Sequence, residues 1–159
     1  MISIDEVQEK VRKGVEIESI LKEINWQEFE TFVAKIFQQN DFLTVENFRF
    51  KTKRRYEIDI VAIRNNTIFC VDCKQWGRGR YKSSAIFESA KKQNKRCREF
   101  KKFIKFSPLI QNKMKIDYKN SVISPLIVTL FEEDLINVEN VYIIPIWKLN
   151  NFLIEHDNF

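Results

Sequence analysis

Two strongly apolar runs, Tyr56 to Arg64 and Thr67 to Lys74, are separated only by Asn65-Asn66. So short a connection predicts an antiparallel hairpin, because Asn tolerates the positive φ that tight turns require. The hairpin is unusual in where it places charge. Asp59 lies inside Ile58-Asp59-Ile60-Val61-Ala62, and Asp72-Cys73-Lys74 ends the second strand. A carboxylate in such a setting is costly to bury unless it is paired or bound to a cation. Strand alternation puts Cys70, Asp72 and Lys74 on one face and Val71 and Cys73 on the other. Two acids and an ammonium are therefore expected together at one rim of a sheet. Paired acids there can bind a hard divalent cation, and a lysine beside them can assist a water nucleophile. The plainer alternative is a salt bridge between either acid and a nearby lysine.

The remaining chain predicts the layers around this hairpin. Residues 4–13 and 16–23 read as two short helices split near Gly14, with Val7, Val11, Val15, Ile17, Ile20 and Leu21 covering a core face or a partner. Asn25 has the character of an N-cap with Glu28 three residues on, opening a helix to about Gln39. Phe42 to Phe50 is a strand, joined to the hairpin by the basic turn Lys51 to Arg55. A long helix is expected from Ser83 or Ser84 to about Phe103, then an irregular stretch over 105–121. Pro125 to Leu130 and Val141 to Ile144 read as strands, and Trp147 to Ile154 as a closing helix. This order gives an α/β layer fold with a mixed sheet.

At 159 residues the chain suits one domain with a full core. We divide it into a helical extension, 1–24, and a main domain, 25–159. Neither a signal peptide nor about 18 consecutive apolar residues is present, so a soluble, cytoplasmic protein without membrane contact is expected. Positive charge is concentrated in the middle. Residues 51–118 carry 19 basic and 6 acidic side chains, whereas residues 1–50 carry 6 and 10, and residues 119–159 carry 2 and 6. Such a field attracts polyanions, and nucleic acid is the expected partner because the acidic pair sits inside the basic segment. The three cysteines, Cys70, Cys73 and Cys97, fit reduced thiols. The C-x-x-C spacing of Cys70 and Cys73 is not a zinc site: residues three apart on a strand point oppositely, and the chain's only histidine is His156.

Further residues join the candidate site. Glu30 shares a helical stripe with Trp26, Val33 and Phe37, which turns its carboxylate toward the sheet; the plainer alternative is that it rests at the edge of the stripe and reaches solvent. The Gln93 amide can hold a water or phosphate, although a Gln in so basic a helix is more often exposed. Lys91, Lys92, Lys95, Arg96 and Arg98 can grip phosphates along that helix, with Arg78 and Arg80 of the basic loop Trp76 to Arg80 as a second wall. Lys53, Arg54 and Arg55 of the basic turn extend the same positive surface. Trp76 is placed either to stack on a base or to fill a core.

The ordered set resembles the PD-(D/E)xK nuclease superfamily, and within it the Mrr-like restriction endonucleases and the archaeal Holliday junction resolvases. The segments that carry the resemblance are Phe29-Glu30-x-x-Val33-Ala34, Phe42-x-x-Val45, Glu57 to Ala62, Val71 to Lys74, Pro125 to Thr129 and Ile144 to Leu153. The resemblance implies a restriction endonuclease-like fold, with a central mixed sheet of about five strands flanked by helices. It implies Mg²⁺, with Mn²⁺ as a substitute, held by Asp59, Asp72 and the Cys73 carbonyl. Lys74 would activate the attacking water, Glu30 would match the helix acid and Gln93 the glutamine of the following helix. The expected activity is metal-dependent endonucleolytic cleavage of DNA in restriction or repair. The alternatives are a non-catalytic DNA-binding module, a structure-specific junction resolvase, or a nuclease acting on RNA. A homodimer, or a protein partner that supplies specificity, is compatible with so small a core.

Overall fold

The computed structural model describes residues 3–12, 16–76, 82–130 and 137–156. The elements run α1 (Ile4–Arg12), α2 (Ile17–Lys22), α3 (Trp26–Gln39), β1 (Leu43–Lys51), β2 (Arg55–Arg64), β3 (Thr67–Lys74), α4 (Lys82–Lys105) and α5 (Pro108–Lys113). They continue as β4 (Val122–Thr129), β5 (Asn137–Val138), β6 (Val141–Pro145) and α6 (Ile146–His156). The six strands form one mixed sheet in the order β1-β2-β3-β4-β6-β5. The β1–β2–β3 meander is antiparallel, β4 lies parallel to both β3 and β6, and β5 returns antiparallel on β6. The α/β class and mixed sheet are as expected, with one strand more. The additional strand, β5, has two residues, too few to show a period.

Helices cover both faces because β3 and β4 are apolar on both. On one face α3, α6 and the N-terminal helices enclose Phe29, Phe37, Phe69, Val71, Leu126 and Leu149. Val7, Ile20 and Leu21 belong to this core, so the N-terminal helices close the domain with those side chains. On the other face α4 buries Cys97, Phe100 and Ile104 against Ile58, Val61, Ile68 and Cys70. Trp76 packs beside a third cluster of Ile86, Ala90, Ile127 and Val141, which favours its core role. The N-cap at Asn25 is as predicted: its Oδ1 accepts from the Glu28 N–H at 2.8 Å. The stretch 105–121, expected to be irregular, contains α5, which Pro108 starts by fitting the first helical turn.

One irregularity shapes the site. In β1–β2, Glu46 pairs with Ile60 and Phe48 with Ile58, but Asn47 and Asp59 form no ladder pair. Asn47 has φ 52°, a left-handed conformation that Asn adopts more readily than most residues. Across this point the inward face changes: Ile60 and Ala62 enter the α3-side core, whereas Ile58 enters the α4-side core. The β2–β3 ladder also ends here, at Ile60 opposite Val71. Beyond it β1 and β2 continue alone as a two-stranded ribbon to Lys51 opposite Arg55.

That ribbon is braced by α4. The Phe100 ring is edge-on to Phe48 at 5.6 Å and to Phe50 at 5.9 Å, and it is fully buried. Phe100→Ala is expected to lower unfolding stability by about 3–5 kcal/mol, read from urea denaturation. A loss below about 1 kcal/mol would mean that the brace contributes little.

Candidate active site

The divergence of β2 from β3 opens a position that a side chain fills. Where the ladder would continue, the Cys73 N–H donates instead to Asp59 Oδ2 at 2.9 Å. The carboxylate thus replaces a strand carbonyl and is held at the rim by the backbone of the very segment that carries Asp72 and Lys74. Asp72 is buried at 6 % exposure. Its Oδ2 lies 3.2 Å from Lys74 Nζ, an ion pair by distance, yet the approach is poorly directed and Oδ2 has no hydrogen-bond partner. The predicted alternation therefore holds, since Asp72 and Lys74 share a side while Cys73 packs toward the α3-side core.

Helices α3 and α4 complete the rim from opposite faces. Glu30 is buried on α3 and feels Asp59 more strongly than any other charge. Trp26, placed by its spacing on the same stripe, is instead 58 % exposed, one turn before Glu30. Gln93 is buried on α4; its Nε2 donates to the Cys70 carbonyl at 2.6 Å, so its amide is engaged within the fold. Its Oε1 accepts from Arg96 Nη1 at 3.3 Å, and the same nitrogen lies 3.9 Å from Asp72 Oδ1. Arg96 therefore turns toward the acids, away from the solvent-exposed Lys91, Lys92 and Lys95. Lys53, Arg54 and Arg55 are exposed at the ribbon tip, whereas Arg78 and Arg80 lie outside the described residues. Sequence reasoning missed Gln75, whose Nε2 donates to the Leu21 and Ile24 carbonyls at 3.0 and 2.6 Å. It fastens the end of α2 to the residue after Lys74, and nothing in its local sequence signals that role.

The electrostatics are those of crowded acids. Burial, then the Asp72 charge, raises the Asp59 carboxyl from its ordinary 3.8 to about 6, against the opposing pull of the Cys73 N–H. Burial, then Asp59, raises Glu30 from 4.5 to about 7. Among the described residues no three His, Cys, Asp or Glu side chains converge closely enough to hold a metal ion by themselves. A donor set of two carboxylates nonetheless suits Mg²⁺, which keeps several waters and takes other oxygens from a phosphate. A bound cation would engage Asp72 Oδ2, which lacks a hydrogen bond, and would relieve the mutual repulsion of Asp59 and Asp72. The residues fit that group.

A pH dependence follows. Between their ordinary values and about 6 and 7, Asp59 and Glu30 hold protons in the folded metal-free protein that the unfolded chain has released. Their contribution to stability is thus full at low pH and is lost as pH rises through those values. A divalent cation favours the ionised carboxylates and opposes the loss. The increase in thermal midpoint on adding Mg²⁺ is expected to be larger at about pH 7.5 than at about pH 5. Equal increments at both pH values would contradict a cation held by Asp59.

Comparison with known proteins gives the family. Residues 25–145 match the family described as NERD: Nuclease-related domain. A protein of Archaeoglobus fulgidus, described as an uncharacterized protein, is 33% identical over 131 residues, covering 82% of this chain and 90% of that one. Two crystal structures are also similar. The protein of unknown function AF1548 has a TM-score of 0.40 and 16% identity, with 81% of this chain and 55% of that chain covered. Protein VC1899 from Vibrio cholerae has a TM-score of 0.43 and 12% identity, with coverages of 84% and 33%. This chain therefore spans about half the length of the first solved chain and a third of the second. On the family match and the identity to the archaeal relative, the chain belongs to the nuclease-related domain family, within the PD-(D/E)xK superfamily.

Proposed function

We propose that this protein is a Mg²⁺-dependent endodeoxyribonuclease that hydrolyses phosphodiester bonds, with Mn²⁺ as a substitute. The observation that carries the reading is the buried Asp72 Oδ2, without a hydrogen bond, beside Lys74 Nζ at 3.2 Å and next to Asp59. The Lys74 ion pair engages that oxygen by distance but gives it no directed hydrogen bond, which a metal ligand does not need. Family membership supports nuclease chemistry in general, and the basic middle segment supports a polyanionic substrate.

Asp59, Asp72 and the Cys73 carbonyl would hold the cation. When bound, it supplies Lewis-acid stabilisation of the phosphate and lowers the pKa of water at the site. Lys74 Nζ orients the attacking water toward phosphorus and offsets the negative charge that builds on the phosphate oxygens. Water oxygen bonds to phosphorus, the bond from phosphorus to the departing sugar oxygen breaks, and that oxygen takes up a proton. Glu30, buried on α3 and facing the Asp59 charge, is suited, once ionised, to accept the proton released by water. Gln93 positions Arg96 through Oε1, and the Arg96 guanidinium adds positive charge beside Asp72. Lys91, Lys92 and Lys95 on α4 contact flanking phosphates. The small core leaves room for a second copy, or for a protein partner, to set where both strands are cut.

The test is cleavage of supercoiled plasmid and of a four-way junction with Mg²⁺, Mn²⁺ or EDTA. Asp59→Asn is the preferred variant because an amide oxygen still accepts from the Cys73 N–H while the charge is lost. Cutting is expected with either metal and not with EDTA, and to fall at least roughly a hundredfold in Asp59→Asn and in Lys74→Ala. Preference for the junction would indicate resolvase-like action. Cutting that survives EDTA or both substitutions would overturn the reading. Salt-sensitive binding without cutting by the unaltered protein would replace it with a non-catalytic DNA-binding module.

A further inference from the structure

The β1–β2 ribbon extends past the active-site rim. From Phe48 opposite Ile58 to Lys51 opposite Arg55, β2 has no partner on its other edge within β3, because the β2–β3 ladder ends at Ile60. A free two-stranded ribbon would ordinarily be mobile, but this one is anchored. Phe48, Phe50 and Tyr56 point to α4, with Phe50 stacked on Tyr56 at 5.5 Å and tilted against Phe103 at 5.3 Å. Thr52 Oγ1 donates to Glu99 Oε2 at 2.6 Å and pins the turn. The exposed side carries Arg49, Lys51, Lys53, Arg54 and Arg55, and the only acid among residues 49–57 is Glu57. Arg49 meets Glu57 at 2.7 Å, but both are solvent-exposed, at 79% and 42%, so the pair is weakly held and its guanidinium can exchange to a phosphate. An open hollow of about 610 Å³ lies between these groups, lined by Arg49, Phe50, Lys51, Arg55, Tyr56 and Glu57.

The geometry points to a reading element for double-stranded DNA: the ribbon lies in the major groove beside the cleaved bond. This rests on the DNA-cleaving reading above and adds the substrate class and the contact surface. Width favours a groove, because a two-stranded ribbon with its side chains matches the roughly 12 Å major groove. The aromatics decide against a single strand. Single-strand binding relies on several aromatic faces open to bases, and here Phe50 is buried and stacked on Tyr56, which borders the hollow only half-exposed. Arg55 lies four residues from Asp59 along one strand, about 13 Å at the usual rise. That separation corresponds to about four base steps along a duplex, so the tip reaches base pairs near the cut.

The experiment separates this inference from the nuclease reading by measuring binding alone. Asp59→Asn protein without metal is titrated with a duplex and with a single strand of the same sequence, at several salt concentrations. The same protein also carrying Lys53→Ala, Arg54→Ala and Arg55→Ala is compared, and its thermal midpoint establishes that it folds. Duplex affinity is expected to fall at least tenfold and the salt slope to drop by about 2–3, at about 0.9 per phosphate contact, with a smaller change for the single strand. In a footprint with dimethyl sulfate, guanine N7 in the major groove is expected to be protected within about four base pairs of the cut, and the triple variant to lose that protection. Duplex binding that is salt-sensitive but unchanged in the triple variant would overturn the ribbon's role and leave the nuclease reading standing. Protection confined to adenine N3, in the minor groove, would also overturn it. Tighter binding of the single strand, or no DNA binding at all, would overturn the duplex assignment.

Discussion

The Asp59–Cys73 hydrogen bond is the interaction on which the rest of this rim depends. Two antiparallel strands that stay paired present alternating side chains and no place to gather acids on a backbone corner. Here β2 leaves β3 after Ile60, and the Asp59 carboxylate takes over the acceptor position that a strand carbonyl would have filled. Asn47, with its positive φ, accommodates the matching irregularity in β1. The same departure creates both the gap at the rim and the unaccompanied ribbon beyond it. One local break in sheet pairing thus links the acidic rim and the basic ribbon.

Helix α4 joins the two. A single face of it carries Gln93, Cys97 and Phe100. Phe100 supports the ribbon aromatics, and Gln93 donates to the Cys70 carbonyl two residues before Asp72. Arg96 stands beside that face with its guanidinium over the acids. On the opposite side α3 brings Glu30, and Gln75 fastens the turn after α2 to the end of β3. The site is therefore held from both layers of the fold, which is what a catalytic geometry requires if its parts are not to drift. Its acids remain mutually repulsive, and in the proposed reading a bound cation would relieve that repulsion.

Much of this was legible from residue patterns. The Asn65-Asn66 turn, with Asn65 at φ 52°, gave the hairpin, and period-two alternation correctly put Asp72 and Lys74 on one side. The Asn25 cap and the apolar strands marked most boundaries within a residue or two. What escaped detection depends on tertiary contacts. Ile86 is buried and Phe87, equally apolar, is 44% exposed, because α4 is set by the stripe through Ala90, Gln93, Cys97, Phe100 and Ile104. The polar Gln93 concealed that stripe, although its spacing from Ala90 and Cys97 was a usable signal. Arg96 reads as one more basic residue in a run of them, and only its placement one turn after Gln93 distinguishes it. The kink at Asn47 and Asp59 leaves no mark, since Asn and Asp in a strand can equally lie on its wet face.

The central claim is that Asp59 and Asp72 together hold one divalent cation. Isothermal titration of Mn²⁺ into the unaltered protein and into Asp72→Asn, in buffers of different ionisation enthalpy, tests it without any substrate. The account predicts one site that releases protons on binding near neutral pH and is lost in Asp72→Asn. Binding of equal affinity in both proteins would contradict it.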